Sequence, residues 1–176
     1  MIAETPRLIL RLLQETDLPD LVRMYGHDAN MRYLPSGAGI DAERVEKGLA
    51  GHLAHYETWG YGLWGIEEKQ SGLLIGHCGL QKLDVLPQTE VAYLLDEPYW
   101  GQGYATEAAR AAVTWGFDSL GLDDICGLAV PHNTASLRVI EKLDMQFVGP
   151  LQAWGLDLLH YQITRDLFEE LRGCCD

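Results

Sequence analysis

Trp100-Gly101-Gln102-Gly103-Tyr104-Ala105-Thr106-Glu107 stands between an apolar run that stops at Asp96-Glu97-Pro98 and a second apolar pattern that begins at once. A glycine-rich turn leading from a strand into a helix is, by its physics, an anion cradle. The first N–H groups of a helix have no intrahelical partner, and the macrodipole places roughly half a positive charge at that end. A phosphate located there collects several main-chain donors together. Gly101 and Gly103 matter because a missing Cβ permits positive φ and lets an anion come close to the chain; Thr106 adds a hydroxyl.

Working outward, Glu90 to Leu95 reads as a strand that ends before Pro98, since proline removes a ladder donor. After the turn, Ala105, Ala109, Val113, Gly116/Phe117 and Leu120 recur at steps of three and four, which predicts a helix over 106–120 lying close to a sheet. Ile125 to Val130 reads as a short buried strand. Asn133 to Leu143 reads as an amphipathic helix with Leu137, Ile140 and Leu143 inward. Two closing strands, 147–151 and 158–164, and a tail helix from Asp166 follow. Upstream, Arg7 to Leu13 is an opening strand, Thr16-Asp17 caps a helix reaching Tyr25, and Asp41 caps a second helix that passes Tyr56 and stops at Gly60. A hairpin pairs 62–67 with 73–83 through Lys69-Gln70-Ser71-Gly72. This order predicts a mixed α/β chain forming one domain over 1–176, without linker or repeat.

The 26 acidic and 13 basic residues give a net charge of −13, which argues against nucleic acid or an anionic membrane as partner. A cationic amine suits that charge, and so does solubility alone. Cys78, Cys126, Cys174 and Cys175 lack paired metal-ligand spacing, so reduced thiols, no metal and a cytoplasmic location are expected. No signal-peptide core opens the chain, and no apolar run reaches membrane-spanning length. A dinucleotide fingerprint needs a third glycine where Thr106 stands, although Asp123 and Asp124 lie where a ribose-binding acid is sought, so that alternative stays beside the first. No Gly-Lys-Ser/Thr follows the turn, so there is no P-loop.

Glu90-Val91-Ala92-Tyr93-Leu94-Leu95 followed by Pro98-Tyr99-Trp100-Gly101-Gln102-Gly103-Tyr104-Ala105-Thr106-Glu107-Ala108 resembles the central motif of the GNAT superfamily of N-acetyltransferases, in the branch that includes the ribosomal-protein N-terminal acetyltransferases. Thr5-Pro6-Arg7-Leu8-Ile9-Leu10-Arg11 resembles the branch's first strand, Ile75-Gly76-His77-Cys78-Gly79-Leu80 its third, and the segment from Asn133 to Leu143 its second cofactor motif. The resemblance covers nearly the whole chain in the expected order. It implies a central mixed, largely antiparallel sheet, splayed at the cofactor site and flanked by helices. It also implies acetyl transfer from acetyl-CoA to a primary amine, a peptide N-terminus or a small molecule, by direct attack in a ternary complex. Two departures stand out. Trp100 replaces the Gln or Arg that often opens the loop, and Asp144 occupies the position after Lys142-Leu143 where the family usually has glycine.

On the same resemblance, main-chain groups near Leu94 and Leu95 are free to pair with the pantetheine amides, and the diphosphate rests on Gly101, Gln102, Gly103, Tyr104, Ala105 and Thr106. The thioester sits beside Asn133 and Ser136. Arg110, Arg138 and Lys142 are candidates for the outer phosphate, while for any one of them a surface ion pair, such as Arg138 with Glu141, is the favoured role. Glu90 is the first candidate general base, with Asp157 and His160 in reserve. Ser136 is the candidate donor to the departing sulfur, because the position where many relatives carry a tyrosine is Ile140. Tyr33 and Trp64 are candidates for the acceptor pocket. A catalytically silent acyl-CoA sensor is the alternative function, and a monomer or a homodimer is expected.

Overall fold

The computed structural model describes residues 1–37 and 40–173; Cys174 and Cys175 lie outside the described residues. Its strands are β1 (Ala3–Glu4), β2 (Leu8–Leu12), β3 (Leu63–Glu68), β4 (Leu74–Lys82), β5 (Thr89–Leu95), β6 (Asp124–Ala129), β7 (Gln146–Ala153) and β8 (Leu156–Thr164). They form one sheet in the order β1-β2-β3-β4-β5-β6-β8-β7. The helices are α1 (Leu18–Tyr25), α2 (Asp28–Met31), α3 (Ala42–Trp59), α4 (Tyr104–Leu120), α5 (Thr134–Lys142) and α6 (Arg165–Gly173).

Local chemistry explains most boundaries. The Asp41 carboxylate accepts from the Arg44 N–H at 2.9 Å and opens α3, which Gly60 closes at φ 73°. The Asn133 side chain caps α5 in the same way, accepting from the Ser136 N–H at 3.1 Å. Beyond α5, Asp144 takes the left-handed conformation at φ 61°, as expected for a residue standing where glycine is usual. α4 begins at Tyr104, two residues before the predicted start at Thr106. β1 and α2 were not legible in the sequence, because two and four residues are too short to display a period.

Helices cover both faces of the sheet. α4 packs on one through Ala108, Ala109, Ala112, Val113 and Phe117, and at Gly116 an added Cβ would stand 2.7 Å from Leu80 Cδ1. This close approach needs glycine. On the other face α1 and α3 bury Leu21, Met24, Val45 and Leu49 against Leu13 and Leu74.

Every strand pair is antiparallel except β5 with β6, which run parallel and pair only at Thr89 with Ile125 and Glu90 with Cys126. β4 meanwhile stays paired with β5 from Lys82 to Gly76, and β8 stays paired with β6 to Ala129. The sheet therefore opens into a wedge between the distal halves of β5 and β6.

Candidate active site

The wedge is the wall of a cavity of about 840 Å³ that extends from the glycine turn, through the gap, to the face carrying α1 and α2. Main-chain polarity along β5 follows from its register. The Asp96 N–H donates to Ile75 O at 2.9 Å, so even-numbered residues direct their peptide groups to β4 and odd-numbered ones to the β6 side. Tyr93 and Leu95 thus face the gap, whereas the peptide groups of Leu94 are engaged with His77 of β4. This corrects the expectation of free main-chain groups at Leu94; its residue lines the cavity by its side chain. The Leu95 carbonyl accepts the Trp100 indole N–H at 2.7 Å, which leaves the Leu95 N–H open.

At the mouth of the wedge, Gly101 and Gly103 have φ 72° and 83°. Gly103 is the N-cap of α4, and no side chain caps the helix. The first helical bond comes only from the Glu107 N–H to Gly103 O, so the N–H groups of Tyr104, Ala105 and Thr106 have no partner within the helix. The turn is held from both sides. Glu107 accepts from Thr5 Oγ1 at 2.6 Å, the Arg7 N–H at 3.0 Å and Arg7 Nε at 2.6 Å, while Arg7 Nη1 donates to Gln102 O at 2.9 Å. On the strand side, Asp96 receives Arg23, the Asn30 amide at 3.0 Å and the Glu97 N–H at 3.1 Å. Burial opposes ionisation of Asp96, but Arg23 and Asn30 outweigh it and hold the carboxyl below its ordinary value. Asn30 lines the cavity, and its Oδ1 is buried without a hydrogen-bond partner among the described residues.

Alternation along β5 distributes the chemistry over two faces. Glu90 lies with Leu94 on the face of α1 and α2, at 8% exposure. Burial pushes its carboxyl up to about 7, against the Gln81 amide, 2.7 Å from Oε2, and the Leu128 main chain, which favour ionisation. Tyr93 lies on the opposite face, where its Oη is 2.8 Å from Ser136 Oγ and 3.1 Å from Ser136 O. Burial raises the Tyr93 phenol, keeping it protonated at neutral pH. When the phenol donates its hydrogen bond to Ser136 Oγ, the serine hydroxyl proton is left free to point into the cavity. No local signal in the sequence marks Tyr93 as a site residue, because its partner lies 43 residues away.

Gly101, Gly103, Tyr104, Ala105, Thr106, Leu94, Leu95, Asn133, Ser136, Arg138, Lys142, Glu90 and Tyr33 all line the cavity. Arg138 and Lys142 have no ion-pair partner among the described residues. Gln102 does not line it: its amide turns back to Pro98 O at 2.9 Å. Arg110 instead donates to Lys142 O beside Asp144. Trp64, expected at the acceptor, is fully buried on the α4 face and packs edge-on to Trp115 with centroids 5.0 Å apart. Both sheet faces are apolar, and strand alternation does not say which one a side chain meets. Asp157 is exposed on the β7–β8 hairpin and accepts from the Gln152 amide at 2.9 Å, and His160 is buried in β8; neither lines the cavity. Burial pushes the Cys78 thiol up and raises Cys126 to about 12, so neither is a ready thiolate nucleophile. Among the described residues no group of His, Cys, Asp or Glu is arranged to hold a metal, and no helix is long and apolar enough to cross a membrane.

Comparison with known proteins agrees with this geometry. Residues 7–146 match the family model described as an acetyltransferase (GNAT) domain. The chain is 29% identical over 154 residues to the uncharacterized N-acetyltransferase YoaA of Bacillus subtilis (strain 168), covering 87% of each chain. Its fold superimposes on a GNAT-family acetyltransferase from Bacillus anthracis with a TM-score of 0.81 at 24% identity, over 93% of this chain and 98% of the other. It superimposes also on RimL, a ribosomal L7/L12 alpha-N-protein acetyltransferase in complex with coenzyme A, with a TM-score of 0.79 at 20% identity, over 94% and 98% of the two chains. The chain belongs to the GNAT family of acetyltransferases. Its sheet is the mixed, mostly antiparallel one of that fold, flanked by helices.

Proposed function

We propose that this chain, acting as one domain over 1–176, is an N-acetyltransferase that takes the acetyl group from acetyl-CoA and passes it to a primary amine in a ternary complex. One observation carries the reading: a parallel strand pair that parts after two residue pairs, with an uncapped, glycine-led helix N-terminus at its mouth. The residues present suit the cofactor. The glycine turn and the N–H groups of Tyr104 to Thr106 suit a diphosphate, the main chain of Tyr93 and Leu95 suits the pantetheine amides, and Arg138 and Lys142 suit the outer phosphate. RimL, with the same fold, is known in complex with coenzyme A. Acetyl-CoA supplies an activated thioester; the chain supplies position and proton management.

An alkyl amine with a pKa of about 10.4 is protonated at neutral pH and must lose a proton before it attacks. Glu90, raised by burial to about 7, is matched to collect that proton. Ser136, oriented by the Tyr93 phenol, donates to the departing sulfur. The reading is tested by following acetyl-CoA consumption across an amine panel with the native chain, Glu90→Gln and Ser136→Ala, alongside CoA binding by calorimetry. The expected result is turnover with native CoA affinity retained, and losses of about 10²- to 10⁴-fold in kcat for each variant. Losses below about tenfold remove the two residues from these roles. Tight CoA binding without turnover of any amine makes the chain a sensor.

A further inference from the structure

The acceptor side of the cavity is unlike the rest of this acidic protein. Of 26 acidic residues, two line the cavity, Glu90 and Asp84. Its wall on the face of α1 and α2 is built from Tyr33, Leu34 and Pro35 after α2, and from Trp154, Leu156 and Leu158 of the β7–β8 hairpin. Asp84 lies on the loop after β4, so the wall formed by Tyr33–Pro35 and the hairpin carries no carboxylate, and an ammonium group resting against it has no counter-charge there.

The hairpin tip adds an independent observation. Ala153 pairs with Leu156 around Trp154 and Gly155, whose φ values of 52° and 76° are both positive. A two-residue turn of this kind favours Asn-Gly or Asp-Gly, and a bulky aromatic at its first position is a conformational outlier. Strain of this sort is maintained where function needs the side chain. Trp154 covers little of the core, being 43% exposed, and it lines the cavity.

Resting on the acetyl-transfer reading above, we propose that the acceptor is a monoamine carried on an apolar body about the size of an aromatic ring, and that Trp154 is the specificity residue that holds it. The amino group reaches Glu90 while the body lies between the hairpin tip and the Tyr33–Pro35 segment. Polyamines are disfavoured because further ammonium groups along the wall between the hairpin tip and Tyr33–Pro35 meet Leu, Pro and Trp without a carboxylate on that wall.

The test compares 2-phenylethylamine, spermidine and a hydrophilic Ser-initiated tetrapeptide as substrates, and as ligands of the CoA-saturated protein by calorimetry. The expected kcat/KM for 2-phenylethylamine exceeds that for spermidine by about a hundredfold or more. Trp154→Asn, which suits the turn better, is expected to leave the thermal midpoint unchanged or higher and CoA affinity within about twofold, while raising KM for 2-phenylethylamine about tenfold. The proposal is overturned if spermidine or the peptide is preferred, if no amine binds the CoA-saturated protein, or if Trp154→Asn leaves KM unchanged. Binding of 2-phenylethylamine without turnover defeats the acetyl-transfer reading and leaves the acceptor site standing. Failure to bind CoA defeats the cofactor reading, and calorimetry on the free protein then decides the amine site alone.

Discussion

Gly103→Ala separates the fold of the glycine turn from its ligand chemistry. A Cβ built on Gly103 meets only the far end of the Arg7 side chain, at 3.4 Å. Its cost to folding is therefore the conformational one of holding an L-residue at φ 83°, about 1–2 kcal/mol. For a chain of this size that lowers the thermal midpoint by about 2–8 °C, with the folded state still dominant near 25 °C. Ligand binding loses more. A methyl group at the N-cap of α4 obstructs the approach of a phosphate to the main chain, and one or two charge-assisted hydrogen bonds of about 1.5–3 kcal/mol each are weakened or lost. The Kd for CoA then rises about tenfold where one weaker bond is lost and up to about 10⁴-fold where two strong ones are, because every 1.4 kcal/mol is about a factor of ten. Calorimetry with CoA, paired with a thermal melt of the same sample, measures both quantities. A folded Gly103→Ala protein that binds CoA within about twofold of the native chain refutes the claim that this turn grips the diphosphate.

Three further outcomes concern Glu90 and Asp144. Acetyl transfer should rise with pH through about 7 as Glu90 ionises, and this acid limb should vanish in Glu90→Gln. The same group works against stability in the alkaline direction. Its folded-state pKa is raised from 4.5 to about 7, so its contribution is full below pH 4.5 and lost as pH rises through 7. Urea titrations from pH 4.5 to 8 should show that decline reduced in Glu90→Gln, and an unaltered decline would mean that Glu90 is not buried as described. At the end of α5, Asp144→Gly relieves an L-residue at φ 61° and sacrifices only an exposed contact, 3.7 Å from Arg110. The thermal midpoint is expected to rise by about 2–4 °C, and a fall would show that the Arg110 contact outweighs the strain.

How much was legible depends on the distance over which each feature is decided. The caps of α3 and α5, the glycine turn and the strand before it are local, since the groups that satisfy one another lie within four residues. The cap of α3 and the glycine turn could be read directly from Asp41, Gly101 and Gly103. Trp64 was misplaced because β3 is buried on both faces: Leu63, Trp64, Gly65 and Ile66 are all buried, so the pattern carries no period to tell inside from outside. Leu94 and Leu95 were indistinguishable until the β4 register fixed which peptide groups turn to the gap. Tyr93, one step along from a proposed site residue, gained significance only when Ser136 was brought 2.8 Å from its hydroxyl. Trp154 offered no signal beyond an aromatic before a glycine.

The sequence by itself determined that a strand runs through a glycine turn into a helix, and with it an anion-binding end, because helix ends and turns are governed by bonds between near neighbours. Tertiary structure alone decided where β5 and β6 part, which face Glu90 and Tyr93 present, and which side chains wall the acceptor space. Those properties come from strand pairing and register between segments tens of residues apart, and a one-residue change in register would reverse every face without altering a letter of the sequence.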